Sequence, residues 1–101
     1  AIFWFTRSAE QGNKYAQVKI ADIYYDGIII NTNLGQALYW YEKAAEQDIL
    51  IAQIMVGKMY CIGQGIEKDF KKAAYWLEKA KNRGDELADE LWEEFELEKY
   101  K

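Results

Sequence analysis

The chain has 101 residues, half of them hydrophobic and 16% aromatic, and this composition excludes an intrinsically disordered chain. Its 13 basic and 17 acidic residues give a formal net charge of −4, which argues against a nucleic-acid-binding surface. The single cysteine, Cys61, excludes an intramolecular disulfide, and without a run of about 18 apolar residues we expect no membrane span.

The same residue types return every 36 positions. Tryptophan occurs at Trp4, Trp40 and Trp76, and alanines recur in the same register. A period between 20 and 50 residues is typical of a solenoid, in which neighbouring units bury one another's apolar faces. The first element, about residues 1–11, is predicted to be the second helix of an incomplete unit.

Each complete unit then begins with a helix whose apolar residues lie on one stripe. In the first copy the stripe precedes Gly27 and in the second it precedes Gly63, and glycine is the usual residue after a helix end. The stripes consist of Ala16, Ile20, Ile23 and Tyr24 in one copy and of Ala52, Val56, Met59 and Tyr60 in the other.

The second helix of each unit follows a turn that ends in a good N-cap residue, Asn33 or Asp69. Because the tryptophans fall on an alanine-flanked stripe, we expect all three to be buried. Ile30, which matches Ile66 in the second copy, is expected to insert between helices. The stripes are Ala37, Trp40, Tyr41 and Ala44, then Ala73, Trp76, Leu77 and Ala80.

The last helix starts near residue 86 and is predicted to close the array. A polar outer face is what a terminal unit of a solenoid requires. Its expected buried face is Leu87, Ala88, Leu91, Trp92 and Phe95, and its expected outer face is Asp89, Glu90, Glu93, Glu94 and Glu96.

This pattern resembles the Sel-one-like repeat (SLR) family, a relative of the tetratricopeptide repeats. The first copy departs from the family pattern at Ala21, Ile29, Asn33 and Asp48. The second copy carries the fuller set: Ala52, Val56, Gly57, Tyr60, Gly63, Gly65, Ile66, Asp69, Ala73, Trp76, Lys79, Ala80 and Gly84.

The resemblance implies an all-α fold, a right-handed α-solenoid of antiparallel helix pairs with a 36-residue period. We expect a single repeat domain over 1–101, divided into a partial repeat at 1–15, repeats at 16–51 and 52–87, and a capping helix at 88–101. The family acts mainly as protein–protein adaptors, and many of its bacterial members are exported.

Catalytic residues are not evident. The chain has no histidine to activate Cys61, so we predict no enzyme, no cofactor and no metal site. The alternative that stays open is a small-molecule or cell-wall-related binder, because cysteine-rich members of the family have been linked to β-lactam binding. Paired cysteines in each repeat mark those members, and this chain lacks them.

The hypothesis for function is a scaffold that binds a protein or peptide on the concave face formed by the first helices. Positions on those helices that differ between copies are the candidates for partner contact. They are Val18, Lys19, Asp22, Tyr25, Asp26, Ile54, Met55, Lys58, Cys61 and Ile62. No nucleic-acid partner is expected, and exposed apolar ends predict self-association.

Overall fold

The computed structural model describes residues 2–27 and 31–101. In this part of the chain the structure is helical throughout, with six α-helices and one short 3₁₀ helix. They are α1 (Ile2–Glu10), α2 (Lys14–Asp26), α3 (Leu34–Glu46), α4 (Leu50–Ile62), α5 (Phe70–Asn82), α6 (Glu86–Glu94) and the 3₁₀ helix (Leu97–Tyr100). None of the helices described is long and apolar enough to cross a bilayer.

Side-chain caps start the second helices α3 and α5, as predicted. The Asn33 side chain accepts a hydrogen bond from the backbone N–H of Gln36 at 3.1 Å, and Asp69 accepts one from Lys72 at 3.0 Å. Each bond satisfies an amide that the first helical turn leaves free.

Glycine in a left-handed conformation ends the first helices α2 and α4. Gly27 has φ 67° and Gly63 has φ 83°, and their N–H groups donate to Ile23 and Met59. Since a side chain disfavours positive φ, these two positions favour glycine, and both predicted helix ends are confirmed.

The core is built from the predicted stripes. Trp40 and Trp76 are each 8% exposed, and the alanines of the stripes are buried between the helices. Small residues let neighbouring helices approach closely while the aromatic rings fill the space beside them. Successive helices therefore stack as antiparallel pairs in a solenoid 41 Å long and 24 × 18 Å across.

Trp4 does not follow its two equivalents: it is 70% exposed, so the prediction that all three tryptophans are buried was wrong. Within the described residues α1 packs mainly against α2, whereas α3 and α5 each pack against the helices on both sides of them. Phe3, next to Trp4, is exposed as well. Self-association through this surface stays a prediction, which sedimentation of the wild type and of Phe3→Ser would test.

In the turn before α5, Ile66, the counterpart of Ile30, is exposed and does not insert between helices. The turn contacts the start of α3 through Gly65. A Cβ added at Gly65 would lie 2.6 Å from the backbone carbonyl of Leu34. Ile30 itself, for which insertion was predicted, lies outside the described residues together with Ile28 and Ile29.

The C-terminal helix is shorter than predicted. It ends at Glu94, and Glu96 takes a left-handed conformation that returns the chain toward α5. Leu97 is fully buried, and the rings of Phe95 and Tyr100 lie 6.2 and 5.2 Å from that of Phe70. The 3₁₀ helix thus packs against α5, where the sequence predicted a longer α6. Leu87, predicted to be buried, is exposed.

Candidate functional site

The units are joined by a buried side-chain amide that occupies the same register in both copies. Gln17 Nε2 donates to the carbonyl oxygen of Ala9 at 3.1 Å, and Gln53 Nε2 donates to that of Ala45 at 3.3 Å. Both glutamines are almost fully buried. Because these carbonyls belong to the last turn of the preceding second helix, each glutamine fixes one unit against the one before it.

Two surfaces of the described chain are considered as candidate sites for a partner. The first is the predicted site on α2 and α4, which we call the first-helix face. Its accessible members are Val18, Lys19, Asp22, Tyr25, Asp26, Met55, Lys58 and Ile62, of which Lys19, Asp26 and Ile62 are the most exposed.

The structure removes Ile54 and Cys61 from this face, since both are buried. Their helix, α4, packs against α3 and α5 and also contacts α6. Burial raises the pKa of the Cys61 thiol to about 11, and the nearby Glu94 carboxylate of α6 contributes to the rise. A partner could reach neither residue without displacing a helix.

Two further members of the first-helix face are held by hydrogen bonds within the protein. The Tyr41 hydroxyl donates to the Asp22 carboxylate, and Tyr25 donates to Gln64 Oε1 at 3.1 Å. Burial, together with the hydrogen bond to Asp22, keeps the pKa of Tyr41 well above its usual value. Asp22 and Tyr25 therefore position α2 against α3 and the turn after α4.

The second surface lies on the other helix of each unit. A cavity of about 510 Å³ opens between α1, the start of α2, and α3. We call it the second-helix groove, and it is lined by Ala9, Glu10, Gly12, Gln17, Tyr39, Trp40, Lys43, Glu46 and Gln47.

The Tyr39 ring of this groove is only partly covered, whereas Trp40 beside it is buried. Tyr39 is 49% exposed, and its ring meets that of Trp40 edge to face at 5.0 Å. Lys43 Nζ lies 5.3 Å from the centroid of the Tyr39 ring. In the described part of the chain no cation lies within 4 Å of the carboxylates of Glu10 or Glu46. The groove thus combines exposed ring surface with carboxylates free of ion pairs.

A smaller cavity of about 140 Å³ repeats this chemistry one unit further on, between α3 and α5. Tyr75 and Trp76 again meet edge to face at 5.0 Å, and Lys79 Nζ lies 5.0 Å from the Tyr75 ring. The remaining lining residues are Ala45, Glu46 and Asp48, so Glu46 borders both cavities.

The sequence interpretation missed this second surface because it treated every repeated residue as a packing residue. Tyr39 and Tyr75 repeat, yet they lie beside the buried stripe rather than on it, and both side chains are largely exposed. An aromatic residue repeated next to the stripe was the available signal.

Comparison with known proteins identifies the architecture. The Sel1 repeat family model matches residues 1–13, 14–49 and 50–85, which together cover most of the chain. The chain belongs to the Sel1 repeat family. A search of curated protein sequences found no match.

Solved structures of Sel1 repeat proteins and their relatives share the fold. A Sel1 repeat protein from Oxalobacter formigenes is 35% identical with a TM-score of 0.86 over 91% of this chain. Cysteine-rich protein B of Helicobacter pylori (HcpB) is 23% identical with a TM-score of 0.80 over 89% of this chain. The matched regions are 27% and 68% of those proteins, so this chain spans about a quarter of the Oxalobacter protein.

Proposed function

We propose that this Sel1 repeat chain binds an extended segment of another protein on the first-helix face. Sel1 repeat proteins are generally protein-interaction scaffolds and are typically non-catalytic. The observation that carries the proposal is that apolar and charged side chains of α2 and α4 remain accessible side by side after packing. Val18, Met55 and Ile62 provide the apolar contacts, and Lys19 and Lys58 the positive charges.

The composition of this face suits peptide recognition. Val18 and Met55 are partly buried against the core, and methionine adapts its shape to different partners. Because Lys19 and Lys58 stand on neighbouring first helices, they can bind carboxylates at two points along a bound segment and so fix its register. Asp26 would disfavour segments in which acidic residues are continuous.

A peptide library displayed on phage and selected against the intact chain would test this proposal. We expect selected peptides to lose about tenfold or more in affinity when Lys58→Glu replaces an attraction by a repulsion. The double variant with Lys19→Glu should bind still more weakly. Lys71→Glu on α5 is the matched control, since it makes the same change in net charge on a different face.

Two results would overturn the proposal. One is the failure of the library to yield any binding peptide, and the other is equal binding of the selected peptides to Lys58→Glu, to Lys71→Glu and to the wild type. Circular dichroism of each variant separates loss of binding from loss of fold. Both lysines project from helix surfaces, so we expect the helical signal to be unchanged.

A further inference from the structure

We propose that the segment bound on the first-helix face runs across α2, α4 and α6, with acidic residues over α2, apolar residues over α4 and basic residues over α6. The inference rests on the proposed function, to which it adds the chemistry of the partner and the helix that each part of it contacts. Two observations support it: a row of exposed apolar side chains, and a change of charge along that row.

The row consists of one exposed apolar residue in the first turn of each first helix. Tyr15, Ile51 and Leu87 share one register of the 36-residue period, and they are 69%, 51% and 45% exposed. We call them the first-turn row. Lys19 and Met55 follow one helical turn later, so the row extends the first-helix face toward the N-terminal ends of the helices. Exposed apolar residues that line up across three units form a patch suited to a protein partner.

Charge changes along the first-turn row from one helix to the next. The first two turns of α2 contain Lys14 and Lys19 and no acidic residue. The corresponding part of α4 is uncharged, and in α6 it contains Glu86, Asp89 and Glu90 and no basic residue. A segment of complementary charge is therefore acidic over α2, apolar over α4 and basic over α6.

Charges in the neighbouring turns lie on other surfaces. Glu10 and Asp48 precede α2 and α4, but both line the cavities between the second helices. Arg83 precedes α6, and its guanidinium donates to the backbone carbonyl of Asp48 at 2.7 Å. Lys58, on the first-helix face itself, lies two helical turns beyond Ile51 and can pair with an acidic side chain where the acidic and apolar parts of the segment meet.

Fluorescence anisotropy with labelled nine-residue peptides tests this proposal on the intact chain. Nine extended residues span about 30 Å, which is enough to cross from α2 to α6 in a solenoid 41 Å long. Each peptide has the core Leu-Ala-Leu with Asp-Glu-Asp or Lys-Arg-Lys on either side, giving an acidic, a basic and a mixed peptide. The mixed peptide is used in both sequence orders, because the charges do not fix the polarity of its main chain.

We expect the tighter mixed peptide to bind about tenfold more strongly than the acidic and the basic peptide. General attraction to a chain with a net charge of −4 would instead favour the basic peptide. Glu90→Lys should shift the preference about tenfold toward the acidic peptide, and Lys19→Glu should shift it toward the basic one. Glu67→Lys, in the exposed turn after α4, is the matched control for charge and should leave the order unchanged.

The apolar row has its own matched pair of variants. Ile51→Ser should weaken the mixed peptide by about tenfold, whereas Ile66→Ser, at an exposed isoleucine in the turn before α5, should not. Equal effects of these two variants would overturn the proposal.

Three further results would overturn it: tightest binding of the basic peptide to the wild type, equal binding of all peptides or of none, and equal shifts in Glu90→Lys and Glu67→Lys. In each case the proposed function stands if library-selected peptides still lose affinity in Lys58→Glu but not in Lys71→Glu. Loss of that dependence would overturn the proposed function itself.

Discussion

The helix pairs α2–α3 and α4–α5 have the same shape but are held together by different interactions. In α2–α3 the Tyr41 hydroxyl bonds to Asp22, and the equivalent of Tyr41 in α4–α5 is Leu77, which packs through its branched side chain. The helix opposite carries Ala21 in one pair and Gly57 in the other. The repeat thus preserves helix positions, whereas the side chains that fill the space between the two helices differ from pair to pair.

The largest expected effect concerns the tryptophan that both pairs share. Trp40→Ala and Trp76→Ala should each lower the free energy of unfolding by about 3–5 kcal/mol, as for a buried aromatic residue. Trp4→Ala, at the exposed equivalent, should cost less than about 1 kcal/mol. Urea unfolding followed by circular dichroism gives the three values, and similar losses at all three positions would contradict the different burial of Trp4.

The buried glutamines should differ between the pairs. Gln17 Oε1 accepts a hydrogen bond from Gln47 Nε2 at 2.9 Å, but among the residues described none donates to Gln53 Oε1. Gln17→Met therefore removes two hydrogen bonds and should cost about 2 kcal/mol, and Gln53→Met should cost about 1 kcal/mol or less. Equal losses in chemical unfolding would mean that Gln53 Oε1 is satisfied in solution, for example by a buried water.

Equivalent positions carry Ala21 in α2 and Gly57 in α4, and this difference gives a smaller, more specific prediction. A Cβ at Gly57 would collide with the Leu77 side chain, so Gly57→Ala should cost about 1–2 kcal/mol even though alanine is the better helix former. Adding Leu77→Tyr recreates the residue pair found in α2–α3 and should recover part of that loss. A double-mutant cycle measures the coupling, and simple additivity would contradict a direct contact between the two positions.

The smallest expected effect lies in the turns that follow the second helices. Asp48 has φ 66°, where its equivalents are Gly12 and Gly84. Asp48→Gly should raise stability by about 0.5–1 kcal/mol by relieving the left-handed backbone. Gly84→Ala, with nothing within 4 Å of an added Cβ, should lower it by a similar amount for the same reason. Thermal unfolding of the two variants should shift in opposite directions.

The sequence predicted those parts of the fold that depend on neighbours along the chain. Helix caps such as Asn33 and Asp69 act within one turn, and Gly63 ends its own helix, so local spacing was enough. The exposure of Trp4 and the burial of Cys61 depend on which other helix packs beside them, and one helical stripe does not contain that information. The concave-face prediction included Ile54 and Cys61 because a difference in residue type between the two copies was taken to indicate exposure. Residue types can also differ between copies where one copy is followed by α6 and not by a regular repeat unit.

Gln17 and Gln53 were missed for a related reason. Their identity in both copies was visible, but polar residues were not considered as members of the packed interface. A polar residue that repeats in register beside buried alanines indicates a buried hydrogen bond, because its burial without a partner would be costly. The same comparison would have drawn attention to Tyr39 and Tyr75 at the second-helix groove.

The hydrogen bonds that these glutamines donate to the preceding unit also bear on how such an array can grow by duplication. A 36-residue unit copied in frame ahead of α6 would bring its own glutamine and present its own alanine carbonyl to the unit that follows. The third position of this register is Asp89, which lacks the side-chain amide N–H that would donate to the carbonyl of Lys81. Tandem duplication is therefore compatible with the helices before α6, whereas a copy of α6 would lack the hydrogen bond that joins one unit to the next.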